Sequence, residues 1–338
     1  MIQEATRALL SGRSLERSEA RGAMEAIFAP AAPVQVASFL TALTMKGETP
    51  DEIAGLAEAM RAHAVPVPGS WPELLDTCGT GGDRSGTFNI STTVAFIAAS
   101  CGLKVAKHGN RSASSLCGSA DVLEALGVHV DLEPEHAAEC LEQHGITFLF
   151  APRYHPAMKH VAPLRRELGF PTAFNLLGPL CNPLRPSHQV LGVFRHAHVP
   201  LMARTLRELG TRRALVVHGH GGLDELSLEG PSEVAELKPD GTIRTFQLDP
   251  RDAGLQAAPL AALAGGDAPT NARLIRGVLS GEDRGPCRDV VLWNAAAALW
   301  IGGAAHDMIA GVALAAEAID SGAASAKLEA FGRATRRS

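Results

Sequence analysis

The spacing of apolar and polar positions changes character part-way along the chain. Up to about position 64 it is helical. Glu4 to Leu10 is a short amphipathic helix. Ser14-Leu15-Glu16-Arg17 opens a second helix, with Ser14 or Ser18 as the N-cap candidate. Val34, Ala37, Ser38, Leu40, Thr41 and Leu43 form one stripe along a helix from Pro33 to Lys46. The next helix begins at Thr49-Pro50-Asp51-Glu52: Thr49 caps it, Pro50 takes the first position and Glu52 completes a capping box. It runs to about Ala64. His63 to Ser70, with Pro66, Pro68 and Gly69, reads as a linker.

Beyond the linker, short apolar runs alternate with helical stretches. Leu74 to Asp76, Leu103 to Ala106, Val128 to Leu132, Ile146 to Phe150, Val190 to Phe194 and Ala214 to His218 read as strands. Ser91 to Cys101, Ser114 to Leu126 and Pro134 to His144 read as helices between them. Strands separated by helices predict a mainly parallel sheet with crossovers. Val234 to Leu248 differs: two alternating runs flank Pro239-Asp240-Gly241, which predicts an antiparallel hairpin. From Thr270 to Arg336 the pattern is helical again. The expected fold class is α/β. A small helical N-terminal subdomain covers 1–68, with a helical contribution from about 155–180. A larger α/β domain covers 69–338 around a mainly parallel central sheet.

Four loops carry candidate chemistry. Asp76-Thr77-Cys78-Gly79-Thr80-Gly81-Gly82-Asp83 continues to Gly86-Thr87-Phe88-Asn89-Ile90-Ser91-Thr92 and opens a helix. Glycines let backbone N–H groups approach an anion, and the helix N-terminus points its dipole at the same place. It is not a Rossmann fingerprint, because Arg84 stands where the third glycine belongs, and no Gly-Lys-Ser/Thr makes it a Walker A loop. Lys107-His108-Gly109-Asn110-Arg111-Ser112-Ala113-Ser114-Ser115 is a second anion-site candidate between a strand and a helix. Two such loops in neighbouring strand–helix units would share the carboxyl edge of a parallel sheet. The third loop, His218 to Ser227, holds Asp224 and Glu225 between glycines, hard donors suited to Mg2+ shared with phosphates. His218 and His220 raise a transition metal, but no third nitrogen or sulfur ligand has matching spacing. The fourth is a helix bearing Arg165 and Arg166, which diverge by about 100° so that one can face a pocket. After it, Phe174 to Pro183 reads as an irregular Pro/Gly segment, and Gly178 before Pro179 suggests a close backbone approach.

Composition narrows the picture. The chain has 338 residues, 46% hydrophobic and 20% charged, enough for a substantial core. A net charge of −5 excludes a general binder of nucleic-acid backbones but permits a local basic pocket. Six cysteines without a C-x-x-C pair fit free thiols in a reducing compartment. Met1-Ile2-Gln3-Glu4 does not read as a signal peptide, and Val290 to Ala305, broken by Asn294, falls short of a membrane span. A cytoplasmic protein is expected.

In order and spacing, Met45 to Pro50, Asp76 to Thr92, Lys107 to Gly127, Tyr154 to Met158, Phe174 to Pro183, Asp224-Glu225 and Asn294 to Leu299 resemble the anthranilate phosphoribosyltransferase family across nearly the whole chain. The resemblance implies a nucleoside phosphorylase/phosphoribosyltransferase-like fold. It implies transfer of phosphoribosyl from 5-phosphoribosyl 1-pyrophosphate (PRPP) to the amine of anthranilate, in tryptophan biosynthesis, by a homodimer. Carried over by position, Gly79, Gly82, Asp83, Thr87, Asn89, Ile90, Ser91 and Thr92 would hold PRPP, with Lys107, His108, Gly109, Asn110, Arg111, Ser112, Ala113, Ser114, Ser115 and Ser119 on its phosphates and ribose. Ser91, Asp224 and Glu225 would bind Mg2+. Gly79, His108, Asn110, Arg165 and Gly178 would meet anthranilate, and Lys107, Asp224 and Glu225 would be catalytic. Arg84 departs from the family, which mostly has glycine there. The alternatives are a pyrimidine nucleoside phosphorylase, whose second loop lacks the Asn-Arg-Ser run seen at 110–112, and a non-catalytic relative of the same fold.

Overall fold

The computed structural model describes residues 1–29, 32–112 and 116–336. Four helices come first: α1 (Ile2–Leu10), α2 (Arg17–Phe28), α3 (Pro33–Lys46) and α4 (Pro50–Ala62). Then follow β1 (Leu75–Gly79), α5 (Ile90–Ser100), β2 (Val105–Gly109), α6 (Ser119–Ala125), α7 (Pro134–His144) and β3 (Ile146–Phe150). The chain continues through α8 (Ala151–Tyr154), α9 (Ala162–Leu168), α10 (Ala173–Leu177), β4 (His188–Gly192), α11 (His198–Glu208) and β5 (Arg213–His218). The hairpin β6 (Ser232–Leu237) and β7 (Ile243–Leu248) precedes α12 (Ala268–Leu279), α13 (Pro286–Ile301), α14 (Met308–Asp320) and α15 (Ala323–Ala334).

Among the described residues the strands form one seven-stranded sheet in the order β3-β2-β1-β4-β5-β6-β7. β1 to β5 pair in parallel and β6 and β7 in antiparallel fashion. Strand order reverses between β1 and β4, and in such sheets a crevice opens there at the carboxyl edge. Alternation of side chains divides the sheet into two buried faces. Val190, Leu215, Val217 and Val234 join the core with Phe96, Trp293, Ile319 and Phe331, from α5, α13, α14 and α15. Leu191, Val193, Val216 and Ala235 join a second core with Met24, Phe39, Leu43 and Leu56 from the N-terminal helices. Val161, Phe174, Leu177 and Cys181 belong to that second core. The segment after β3 therefore returns to the helical part.

Several boundaries differ from the sequence reading, each for a local reason. The N-cap of α2 is Glu16, in a capping box with Glu19, because Ser14 instead accepts a hydrogen bond from Lys46. β2 extends through Lys107 and His108, which are buried despite their polarity. Val128 to Leu132 alternates in burial as a strand would, but its polar backbone serves Thr335 and Tyr154 rather than a sheet. α6 begins at Ser119, where the Asp121 carboxylate caps the Gly118 N–H. The segment from Phe174 is regular: α10 runs straight into a 3₁₀ turn, Gly178–Leu180.

Candidate active site

The loop leaving β1 crosses the top of the switch point. Its backbone is left-handed at Gly81 (φ 64°), Gly82 (φ 83°) and Gly86 (φ 68°), and also at Arg84 (φ 57°). A side chain there crowds the following carbonyl, at a cost of about 1–2 kcal/mol. Arg84→Gly is therefore expected to raise the stability of the protein by up to about 1 kcal/mol. The urea midpoint checks it.

The loop leaving β5 folds over onto the first loop. Asp224 Oδ2 accepts the Gly81 N–H at 2.7 Å, and the Asp224 N–H reaches Asp83 Oδ2 at 3.5 Å. The approach requires glycine at 79, since a Cβ would overlap Asp224 Oδ2. Glu225 Oε1 accepts the Ser91 N–H at 3.1 Å, in the first turn of α5, where the helix dipole favours an anion. Burial pushes the Glu225 carboxyl up to about 7. Burial, with Asp83 nearby, holds Asp224 well above the usual carboxylate range. Two adjacent half-buried carboxyls suit a divalent cation, and the Ser91 hydroxyl adds a third oxygen. Among the described residues no group of three or more His, Cys, Asp or Glu could hold a metal unaided. Water or substrate oxygens would have to complete the set.

The second loop lies beside them. Lys107 Nζ sits beneath the first loop, donating to the Thr77 carbonyl and to Ser91 Oγ (3.3 Å). Asn110 is exposed, and Ser119 Oγ braces its backbone at both N–H and C=O (3.2 Å each). Gly109 packs tightly against Ser119 and Phe148. Asp121 accepts the Ser112 N–H at 3.0 Å. Ala113, Ser114 and Ser115 lie outside the described residues.

Four of the residues expected on PRPP are engaged within the protein. The Arg111 guanidinium is turned onto Glu124 and Asp121, with bonds of 2.7 to 3.0 Å. Its charge is therefore already balanced within the protein. Asn89 uses its amide at both ends, on the Cys117 carbonyl and on Asn271, so it ties loops together. The Ile90 side chain is in the core and its N–H is held by the Phe88 carbonyl. The Thr92 side chain is buried, leaving its backbone as the part that can face the loop. By contrast, Gly82 is exposed, and Asp83 and Thr87 are partly exposed; Thr87 Oγ1 lies 3.1 Å from Ser85 Oγ.

A third cluster borders the helical part. The His108 ring donates from Nδ1 to the Gly178 carbonyl at 3.2 Å. Its Nε2 is buried without a partner among the described residues, as is Nε2 of His155, whose ring lies edge-on to His108 at 5.1 Å. Burial keeps both rings neutral, pushing His108 down to about 3 and His155 to about 4. The Arg165 guanidinium lies over the Phe174 ring at 5.4 Å. It is half-buried, has no carboxylate partner among the described residues, and burial pulls its pKa down. Arg166 faces solvent. Gly178 has open space where a Cβ would stand, so its lack of a side chain answers no neighbour within the chain. Because an unfolded histidine takes a proton near 6.5 and folded His155 only near 4, the unfolded state binds more protons in that window. His155→Gln is expected to remove that contribution. Acidification from pH 6.5 to 4 should then cost the variant less than the wild type, by about 1.4 kcal/mol per pH unit. Urea titrations across that range measure it.

Comparison with known proteins agrees with this layout. Residues 3–64 match the helical bundle domain of a glycosyl transferase family, and residues 71–325 its α/β domain. The chain is 55% identical over 322 residues to the anthranilate phosphoribosyltransferase of Roseiflexus sp. (strain RS-1), covering 95% of this chain and 94% of that one. It is 54% identical over 332 residues to that of Moorella thermoacetica, covering 98% and 97%. The chain belongs to the anthranilate phosphoribosyltransferase family. Solved structures of the family superpose on it. The Thermus thermophilus enzyme does so with a TM-score of 0.92 and 46% identity, over 98% of this chain and 99% of that one. The Saccharomyces cerevisiae enzyme in complex with PRPP and Mg does so with 0.90 and 31%, over 99% and 97%.

Within this phosphoribosyltransferase frame, sequence reasoning passed over several residues that hold the site. Asp76 is fully buried, and burial raises it to about 6 against the opposing pull of Lys107. Asn182 donates to Asp76 Oδ2 (3.0 Å) and to the Ala106 carbonyl (2.8 Å), linking β1 to β2 under the loops. Asn294 on α13 grips both the N–H (2.8 Å) and the C=O (2.9 Å) of Leu226, next to the carboxylate pair. A lone polar residue in an otherwise apolar run, as Asn294 is, was the available signal.

Proposed function

We propose that the chain transfers the 5-phosphoribosyl group of PRPP to the amine of anthranilate, giving N-(5-phosphoribosyl)anthranilate and pyrophosphate. The observation that carries this reading is the half-buried Asp224–Glu225 pair, docked on the glycine loop and on the first turn of α5. That is a cation site built into an anion site, at the switch point of the sheet.

In the reaction the bond from the anomeric carbon to the pyrophosphate oxygen breaks, a carbon–nitrogen bond forms, and the amine gives up one proton to the released pyrophosphate or to water. Positive charge develops on the ribose as the bond breaks, as in glycoside cleavage. Mg2+ held by Asp224, Glu225 and the Ser91 hydroxyl would neutralise the departing oxygens. Backbone N–H groups of the 79–92 loop and of the second loop, with Asn110, would hold the phosphates and ribose. Lys107 lends its charge from below. Arg165 would clamp the anthranilate carboxylate with its planar fork, a geometry lysine lacks. With Nδ1–H committed to Gly178, His108 presents Nε2 as an acceptor. Its neutrality leaves Nε2 free to accept from the incoming amine. An aromatic amine is unprotonated at neutral pH, so positioning does most of the work.

We further infer a cytoplasmic homodimer in which residues 1–68 with 155–180 form one body and 69–338 the other. Leu10, Val34 and Met45 on α1 and α3 are exposed at 71%, 71% and 82%, an apolar surface that a second copy would cover. Cys78, Cys101, Cys140, Cys181 and Cys287 form no disulfide among the described residues, which fits a reducing compartment. Among the described residues no single helix is long and apolar enough to cross a membrane.

Incubation with PRPP, Mg2+ and anthranilate tests the reaction. Mass spectrometry should find phosphoribosylated anthranilate with one equivalent of pyrophosphate. Phosphate-dependent cleavage of uridine, with no change in anthranilate, would overturn the reading.

A further inference from the structure

The turn Gly178–Leu180 offers three consecutive carbonyls, and each is held by a side chain from a different element. His108 on β2 donates to Gly178 (3.2 Å) and Gln189 on β4 to Pro179 (2.7 Å). Arg61 Nε on α4 donates to Leu180 (2.6 Å). Two of these clamps come from the sheet. The third comes from the helical part, from the last turn of α4, just before the 63–70 linker.

Arg61 is an unusual choice for a structural donor. Burial pulls its pKa down. Among the described residues it has no carboxylate partner, and its neighbour Glu58 is engaged by Arg17. Arg61 is half-buried, and a guanidinium held in place by one carbonyl bond is a costly way to fasten a turn if it has no other task. Its contact is not isolated: the adjacent Met60 Sδ lies 3.4 Å from Cys181 Sγ, the residue after Leu180. Two successive residues of α4 thus grip two successive residues of the turn.

We propose that Arg61 is a positioning residue for the amine-acceptor side of the site, acting through the turn on His108. The inference rests on the phosphoribosyl-transfer reading above. Arg61 sets the Leu180 carbonyl, and the rigid Gly-Pro-Leu turn carries that setting to the Gly178 carbonyl. That carbonyl fixes the tautomer and direction of the His108 ring. The helical part is thereby joined to the His108 ring, whereas the β2 backbone that leads into the PRPP loop is held by its pairing with β3. A change at Arg61 should therefore be felt by one substrate and not the other.

The test compares wild type, Arg61→Met and Arg61→Lys in the full-length protein. Arg61→Met should raise the anthranilate KM by roughly tenfold, the scale of one lost charged hydrogen bond, with the PRPP KM within about twofold. Arg61→Lys, which can still reach the carbonyl, should recover most of the loss. A purely structural role would lower the unfolding temperature and the yield of active protein without separating the two KM values. That result, or equal KM changes, or no rescue by lysine, overturns the proposal while wild-type turnover leaves the transfer reading standing. If Arg61→Met does not fold, Arg61→Gln is judged by the same split. Absence of turnover in the wild type overturns both.

Discussion

Arg165→Ala raises the anthranilate KM by roughly a hundredfold and leaves the PRPP KM within about twofold, the expected scale for losing a bidentate charged contact. The reasoning is electrostatic. The Arg165 guanidinium is half-buried against Phe174 and has no carboxylate partner among the described residues. A cation kept in that state offers a substrate carboxylate a partner that has already lost much of its hydration. Arg165→Lys should recover only a small part of the loss, because an ammonium cannot reproduce the fork and stacks less well on the Phe174 ring. Aniline, which lacks the carboxylate, should be as poor an acceptor for the wild type as anthranilate is for Arg165→Ala. Steady-state kinetics with each substrate varied in turn read the result. Equal effects on both KM values would reject the assignment.

Asp224→Asn combined with Glu225→Gln is expected to lower kcat by roughly a thousandfold and to raise the Mg2+ concentration needed for half-maximal rate. The two carboxyls lie side by side, half-buried, and desolvation raises both above their usual range. That arrangement is unfavourable until a cation arrives. The amides keep shape and hydrogen bonding to the Gly81 and Ser91 N–H groups while removing the charge. Without Mg2+, the double variant should therefore be at least as resistant to urea as the wild type, which separates lost chemistry from lost folding. An unchanged magnesium titration would count against the pair as ligands.

How legible the molecule was in its sequence depended on whether the signal was local. The capping box at Thr49–Glu52 and the hairpin around Pro239-Asp240-Gly241 are local patterns, and both stand where expected. The glycine loop and the Lys107 loop were visible because glycine and charge break an apolar run. Partnership across the fold was not visible. That Arg111, expected on a phosphate, pairs with Glu124, thirteen positions on, was not readable from its loop. Asp76 looked like the start of a loop, yet it is buried with Asn182, 106 positions away. Val128 to Leu132 has the burial rhythm of a strand, but rhythm reports which side faces the core, not whether a neighbouring strand is present. The choice of Arg165 over Arg166 came from family resemblance, and the structure supplies the physical difference: one lies over Phe174, the other faces solvent.

The most direct test of phosphoribosyl transfer at the carboxylate pair is a Mg2+ titration of the initial rate of anthranilate fluorescence loss. It is run at fixed PRPP, in wild type and in the Asp224→Asn/Glu225→Gln variant. The expected result is a rate near zero in chelator, a saturable rise in the wild type with one pyrophosphate released per anthranilate consumed, and a much weaker response in the variant. A wild-type rate that is undiminished in chelator, or a variant that titrates like the wild type, would contradict it.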